Sequence, residues 1–182
     1  MYKLTGNLII SIFVVVFFSL SSLSFSQGLS QAQKDSILNA YVTLPNSDVR
    51  IVPPAYFKAF ANDGKFGFMH EGAGASISFQ EISGTPYPIV VQYMSKEHLE
   101  TQGVKFITKE NVQTKQKKDG VMYLVSFPVK SKDGSKELQY ERMMLFTGDY
   151  NRTIWISANY PVVARKMLFV PLKESLLSVQ FD

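Results

Sequence analysis

No cysteine occurs anywhere in the 182 residues. That excludes disulfides, a thiol nucleophile, a thiolate metal site and lipid attachment through a cysteine at an export cleavage site. Histidine is nearly as scarce. The two present, His70 and His98, each stand beside a glutamate, Glu71 and Glu97, and neither has the His-x-x-x-His spacing of a helical metal site. Serine is plentiful, yet no Gly-x-Ser-x-Gly elbow is present. The stretch Gly72-Ala73-Gly74-Ala75-Ser76 reads as a strand opening and lacks the Lys-Ser/Thr ending of a phosphate loop. Asp149-Tyr150-Asn151 offers too few oxygen ligands for a calcium loop. Asn151-Arg152-Thr153 has the form of a glycosylation sequon and reads as a hairpin turn. No catalytic set, metal site or cofactor is therefore expected, and the chain reads as a protein that is not an enzyme.

One long apolar run is present, at the amino-terminal end. Lys3 precedes Leu8 to Leu20, a run dense in Val and Phe and broken by Ser11 and Ser19, and Ser21 to Ser26 follow. A basic end, an apolar core and small polar residues make up a secretory signal, with Ser24 and Ser26 at the −3 and −1 positions. A spanning anchor needs about 20 apolar residues, more than the unbroken part supplies. Residues 1–26 are thus expected to be cleaved, giving a mature protein that begins near Gln27 and works in the periplasm or outside the cell. Residues 27–41 read as a polar arm and 42–182 as a single α+β domain, large enough to be stabilised by its own core.

Charge is modest overall, a formal +4, but unevenly placed. Between Lys105 and Lys136 lysines outnumber the acids Glu110, Asp119 and Asp133 by eight to three. Lys115, Lys117 and Lys118 form the densest part and are candidate binding residues for an acidic partner or an anionic membrane surface. The same lysines also suit solvated turns and blunted sheet edges. Arginine and interleaved aromatics are sparse there, so no nucleic acid partner is expected.

Val42 to Leu44 and Val49 to Val52 read as short strands around the turn Pro45-Asn46-Ser47, and Ala55 to Ala61 as a single helical turn with Phe57 and Phe60 inward. Phe66 to Met69 and Ala75 to Ile82 form a predicted hairpin; Ala75, Ile77 and Phe79 alternate with Ser76, Ser78 and Gln80, which buries one face. Thr85-Pro86 reads as the cap and first residue of a helical segment over 86–102, with Ser95 able to start a second short helix and Gly103 as the stop. Strands are expected at Val104 to Thr108, Val112 to Thr114, Val121 to Val129, Leu138 to Phe146 and Thr153 to Tyr160. The turns between them are expected at Lys118-Asp119-Gly120, Lys132-Asp133-Gly134 and Gly148-Asp149. A closing helix carries Leu168, Leu172, Leu176 and Val179 on one face, with Pro171 as a kink or a new first turn. The sum is an antiparallel sheet of roughly six to eight strands with two main helices. Trp155 alternates out of phase with Ile154 and Ile156. It is a candidate binding residue if the helices lie on the Ile154 face; the alternative is a tryptophan covered by the amino-terminal arm.

Leu44-Pro45, Val49 to Pro54 leading into Phe57, Phe66-Gly67-Phe68, Ala75-Ser76-Ile77 and Ile82-Ser83-Gly84 come in an order that resembles the PsbP-like family. Gly103, Phe146-Thr147-Gly148-Asp149, Ala158-Asn159-Tyr160-Pro161 and the Leu172 to Val179 helix continue it. That family includes the extrinsic photosystem II protein, a Ran-binding nuclear import factor and periplasmic proteins of the DcrB type; the chain also resembles small secreted proteins of Gram-negative bacteria. The resemblance implies an α-β-α sandwich and an accessory or binding role without a shared catalytic set. The function expected is thus a non-catalytic exported binding protein with a protein or envelope partner. Two other readings stand beside it. One is a hydrolase with a dispersed site around Glu71 and His98, drawing on His70 and Glu141. The other is a peripheral membrane module using the lysine-rich 105–136 stretch.

Overall fold

A computed structural model describes residues 40–62, 65–130 and 136–182. The expected signal peptide, all but the last two residues of the arm, and the turn Lys132-Asp133-Gly134 lie outside the described residues. Strands β1 (Val42–Thr43) and β2 (Arg50–Ile51) make a small antiparallel pair. Seven strands form the main sheet: β3 (Lys58–Asn62), β4 (Lys65–His70), β5 (Ala75–Ser83), β6 (Lys105–Gln113), β7 (Asp119–Lys130), β8 (Glu137–Gly148) and β9 (Arg152–Pro161). Their order is β3-β4-β5-β9-β8-β7-β6, antiparallel throughout. Helices α1 (Tyr87–Tyr93) and α2 (Lys96–Thr101) lie between β5 and β6 in sequence, and α3 (Arg165–Leu177) follows β9.

Each sheet face has its own apolar cluster, because strand side chains alternate. On one face Ile77, Met122, Met143, Leu145, Ile154 and Ile156 pack with Leu168, Leu172 and Leu176 of α3, with Ile51 of β2 and with Leu44 and Val49 of the β1–β2 turn. On the other, Val121, Tyr123, Val125, Met144 and Phe146 pack with Leu99 of α2 and with Tyr87, Val90, Val91 and Met94 at α1. Helices therefore sit on both faces, and the expected α-β-α arrangement is present. Burying an apolar side chain of this size contributes about 1.5–3 kcal/mol, so the two clusters carry most of the stabilisation.

Local details depart from the sequence expectations for identifiable reasons. Ala55 to Ala61 is not a helical turn: Lys58 onward is β3, whose Phe60 ring lies against Gly67 of β4, a cross-strand fit that a one-turn helix cannot match. The helical segment 86–102 breaks at Met94, and Ser95 caps α2 by accepting from the His98 N–H at 3.1 Å. Pro86, not Thr85, is the residue before the first helical turn; the Thr85 carbonyl instead accepts from the Thr153 hydroxyl at 2.7 Å. The two runs either side of Lys109 are one strand with an irregularity between Phe106 and Thr108. Asp119-Gly120 lies inside β7, and the turn is Thr114 to Lys118, closed by Thr114 N–H to the Lys118 carbonyl at 2.9 Å with Lys117 at φ +62°. Helix α3 runs through Pro171, which is solvent-exposed and supplies no N–H to the helix.

Candidate functional site

The strand register builds one surface that runs out beyond the α1-side cluster. β9 presents Trp155, Ser157 and Asn159 on the α1 side; opposite them stand Gln80, Ser78 and Ser76 of β5, and Phe146, Met144 and Arg142 of β8. Arg142 in turn stands across from Val125, and Tyr140 from Phe127, on β7. Toward Trp155 this face is packed by α1. Toward Asn159, Ser76, Ser78, Arg142, Phe127 and Tyr140 are half-buried and lie outside the helix-packed cluster.

Arg142 is the centre of this open half. Its Nε donates to Asn159 Oδ1 at 2.6 Å and its guanidinium lies 4.9 Å from the centroid of the Phe127 ring. Burial pushes its pKa down from the ordinary arginine value. Among the described residues it has no acidic partner within ion-pair reach, whereas Arg152 and Arg165 both do. Asn159 Nδ2 makes a long 3.5 Å contact to Ser76 Oγ. Tyr140 tilts against Phe127 with 6.2 Å between centroids, and its hydroxyl occupies the space a Cβ at Gly74 would need. Gln80 is exposed and ends the floor opposite Trp155.

Trp155 marks the border between covered and open halves. It stacks on Phe146 at 5.2 Å, and its indole N–H is buried with no acceptor among the described residues. Four residues of strand separate it from Asn159, about 13 Å. The face it shares is the one on which α1 and α2 pack, and among the described helices α3 packs on the Ile154 side.

The lysine candidates lie elsewhere. Lys115, Lys117 and Lys118 sit in the β6–β7 turn, which is tied to the carboxyl-terminal tail. Lys115 N–H donates to the Leu177 carbonyl at 2.7 Å, Gln116 bonds both backbone groups of Phe181, and Lys118 Nζ lies 5.1 Å from the Phe181 ring centroid. Phe181 belongs to the α3-side core, so this turn and Trp155 are not brought together.

Nor are the histidines and glutamates. His70 ends β4, accepts from the Ala73 N–H at 3.2 Å and meets Phe57 edge-on. Glu71 and His98 are exposed; His98 is on α2, which packs by β6, five strand spacings or about 24 Å from β4. Glu141 is buried on the α3 side, where it accepts from the Tyr160 hydroxyl at 2.6 Å and pairs with Arg165. Burial first, and then the Glu141 bond, pushes the Tyr160 pKa up. This group is an internally satisfied link between β8, β9 and α3. No cluster of metal-ligating side chains occurs among the described residues.

A second arginine holds the other end of the sheet. Arg152 forks onto Asp48 at 2.6 and 2.8 Å, and reaches Glu81 at 3.3 Å, Asp149 at 3.2 Å and the Asp182 carbonyl at 2.8 Å. The fork is the main reason Asp48 titrates at about 2.

No family model matches the sequence, and no curated protein matches it. Solved structures do. LpqN, involved in cell envelope biogenesis of Mycobacterium tuberculosis, is similar at a TM-score of 0.52 with 11% identity, over 85% of this chain and 98% of that one. A protein of Bacteroides thetaiotaomicron VPI-5482 is similar at 0.52 and 11% identity, over 80% of this chain; the match spans about half, 49%, of that longer protein. Cyanobacterial PsbP from Synechocystis sp. PCC 6803 stands at 0.49 and 9% identity, over 79% and 92%. The chain thus shares its α+β fold with LpqN and the Bacteroides protein.

Proposed function

We propose that this is a non-catalytic accessory protein, exported from the cytoplasm, that binds a partner on the open half of its sheet. The observation that carries the reading is Arg142: a half-buried guanidinium without an acid among the described residues, set among neutral hydrogen-bonding side chains that lie outside the helix-packed cluster. A desolvated charge left unpaired is costly in a protein that uses the surface for nothing else. Export is supported by the signal-like order of residues 1–26 and by the envelope role of LpqN, a protein of the same fold. No described helix is long and apolar enough to cross a membrane.

The test is a photo-crosslinking amino acid placed at Gln80, exposed where the open half begins, or at Glu174, on the outer side of α3. The outcome expected is one discrete adduct from position 80 and none from 174; equal or absent adducts would count against the reading. The lysines of 105–136 support a second surface, because Lys105, Lys109, Lys115 and Lys117 are exposed along one edge. Sedimentation with anionic vesicles that weakens as salt rises is its expected signature.

A further inference from the structure

We infer that the open half of the sheet receives an acidic side chain of a protein partner, an Asp or Glu whose carboxylate seats on the two Nη groups of Arg142; this rests on the reading of that face as the binding surface. The Nε of Arg142 is taken by Asn159, and its plane is held on Phe127. What remains is the Nη edge, oriented and half-desolvated, the geometry that matches a carboxylate with two parallel hydrogen bonds.

The surroundings select the sign and number of charges. Ser76, Ser78, Gln80, Ser157, Asn159 and Tyr140 line the same face on β5, β9 and β8, and none is acidic. The described acids of these strands, Glu81, Glu137 and Glu141, fall on the alternate side. Across β5, β9 and β8 the floor is therefore a single cation among neutral groups, which balances a monoanion; Lys58, the next cation along this row, stands two strands beyond β5, on β3. A membrane or other polyanion draws on several cations together, and the lysine turn that would supply them is docked on Phe181 of the opposite-face core. Phe127 and Tyr140, half-buried beside the guanidinium, give the residue next to the acid an apolar seat.

Nuclear magnetic resonance of the labelled full chain tests this with three probes: a blocked peptide alternating Glu and Phe, its Gln counterpart, and inorganic phosphate. The Glu peptide is expected to shift the Arg142 Nε–H and Asn159 side-chain resonances saturably. Affinity should fall at least tenfold for the Gln peptide, and likewise for Arg142→Lys, which keeps the charge and loses the fork. The Gln-peptide comparison uses the unaltered chain, so it stands even if a variant fails to fold. Equal binding of Glu and Gln peptides, undiminished binding by Arg142→Lys, or a response at Arg142 to phosphate alone would each overturn the inference. Peptide shifts at Ser76 and Ser78 with none at Arg142, or a discrete crosslink from position 80 with Arg142 silent, would overturn the carboxylate and leave the face as the binding surface.

Discussion

Arg152 joins the β1–β2 turn, the end of β5, the β8–β9 turn and the chain's last residue through one guanidinium, 17% exposed. Its fork on Asp48 is bidentate, and its plane also lies 5.4 Å from the Phe181 ring centroid. Truncation removes several charge-assisted bonds at once and leaves three carboxylates facing one another. Arg152→Gln should destabilise the fold by about 2–3 kcal/mol, read as a lower denaturant midpoint at unchanged slope. Trp155 makes the opposite case. Its N–H is a buried donor with no acceptor among the described residues, and such a group costs about 1–3 kcal/mol. Trp155→Phe removes that donor and keeps a ring on Phe146, so its net effect should stay within about 1 kcal/mol. Trp155→Ala, which also removes the ring, should cost about 3 kcal/mol. If the two substitutions prove equally damaging, the N–H has found an acceptor and the account of Trp155 fails.

Among the elements, β4 and β5 approach so closely that a Cβ at Gly67 would stand 2.1 Å from the Ile77 carbonyl oxygen and 2.8 Å from the Phe60 ring. The carbonyl is backbone and cannot swing aside. Gly67→Ala should therefore cost more than about 3 kcal/mol and loosen the β3–β4–β5 side of the sheet, seen as faster amide exchange there than in β7 and β8. These elements also show what a sequence makes legible. The period of two in Ala75 to Ile82 reads directly as β5, and Ser95 as the cap of α2, because both are local patterns. β3 does not read that way: its strand state comes from pairing with β4, and Phe57 and Phe60 alone satisfy a helical spacing equally well. Asp119-Gly120 carries a turn composition but extends, because Thr114 already closes the chain and Gly120 lies against the Phe146 carbonyl, 2.9 Å from where a Cβ would stand. Arg142 and Asn159 were invisible for a related reason. They lie 17 residues apart, on two strands, and become neighbours only through the β8–β9 register. Trp155, conspicuous by its rarity, packs against the α1-side cluster.

At the scale of the molecule, the Arg152 group closes the sheet where the β1–β2 turn and the last residue meet. Asp182 N–H donates to Asp48 Oδ2 at 3.0 Å, and Ser47 Oγ to Glu81 Oε2 at 2.9 Å, so the carboxylates bind backbone and hydroxyl as well as guanidinium. This makes stability depend on pH with a definite sign. The Arg152 bond is the chief cause that lowers Asp48 from 3.8 to about 2 in the folded chain, and Asp149 is lowered too, first by the Asn151 backbone N–H and then by Arg152. A group depressed on folding adds stability that is complete above its unfolded pKa and is lost as pH falls through the folded one. The contribution is therefore whole above about pH 4 and disappears toward pH 2. Both carboxylates are partly exposed, so screening reduces its size and added salt should reduce it further. Arg152→Gln returns Asp48 toward its ordinary value. The stability gap between parent and variant should be constant above pH 4, shrink steadily below it and approach a minimum near pH 2, as followed by denaturant melts across pH. Asp48→Asn should flatten the same acid limb while leaving Arg152 with Glu81 and Asp149. A gap that is the same at pH 2.5 and pH 6 would show that Arg152 acts there by packing on Phe181 and not by its charge.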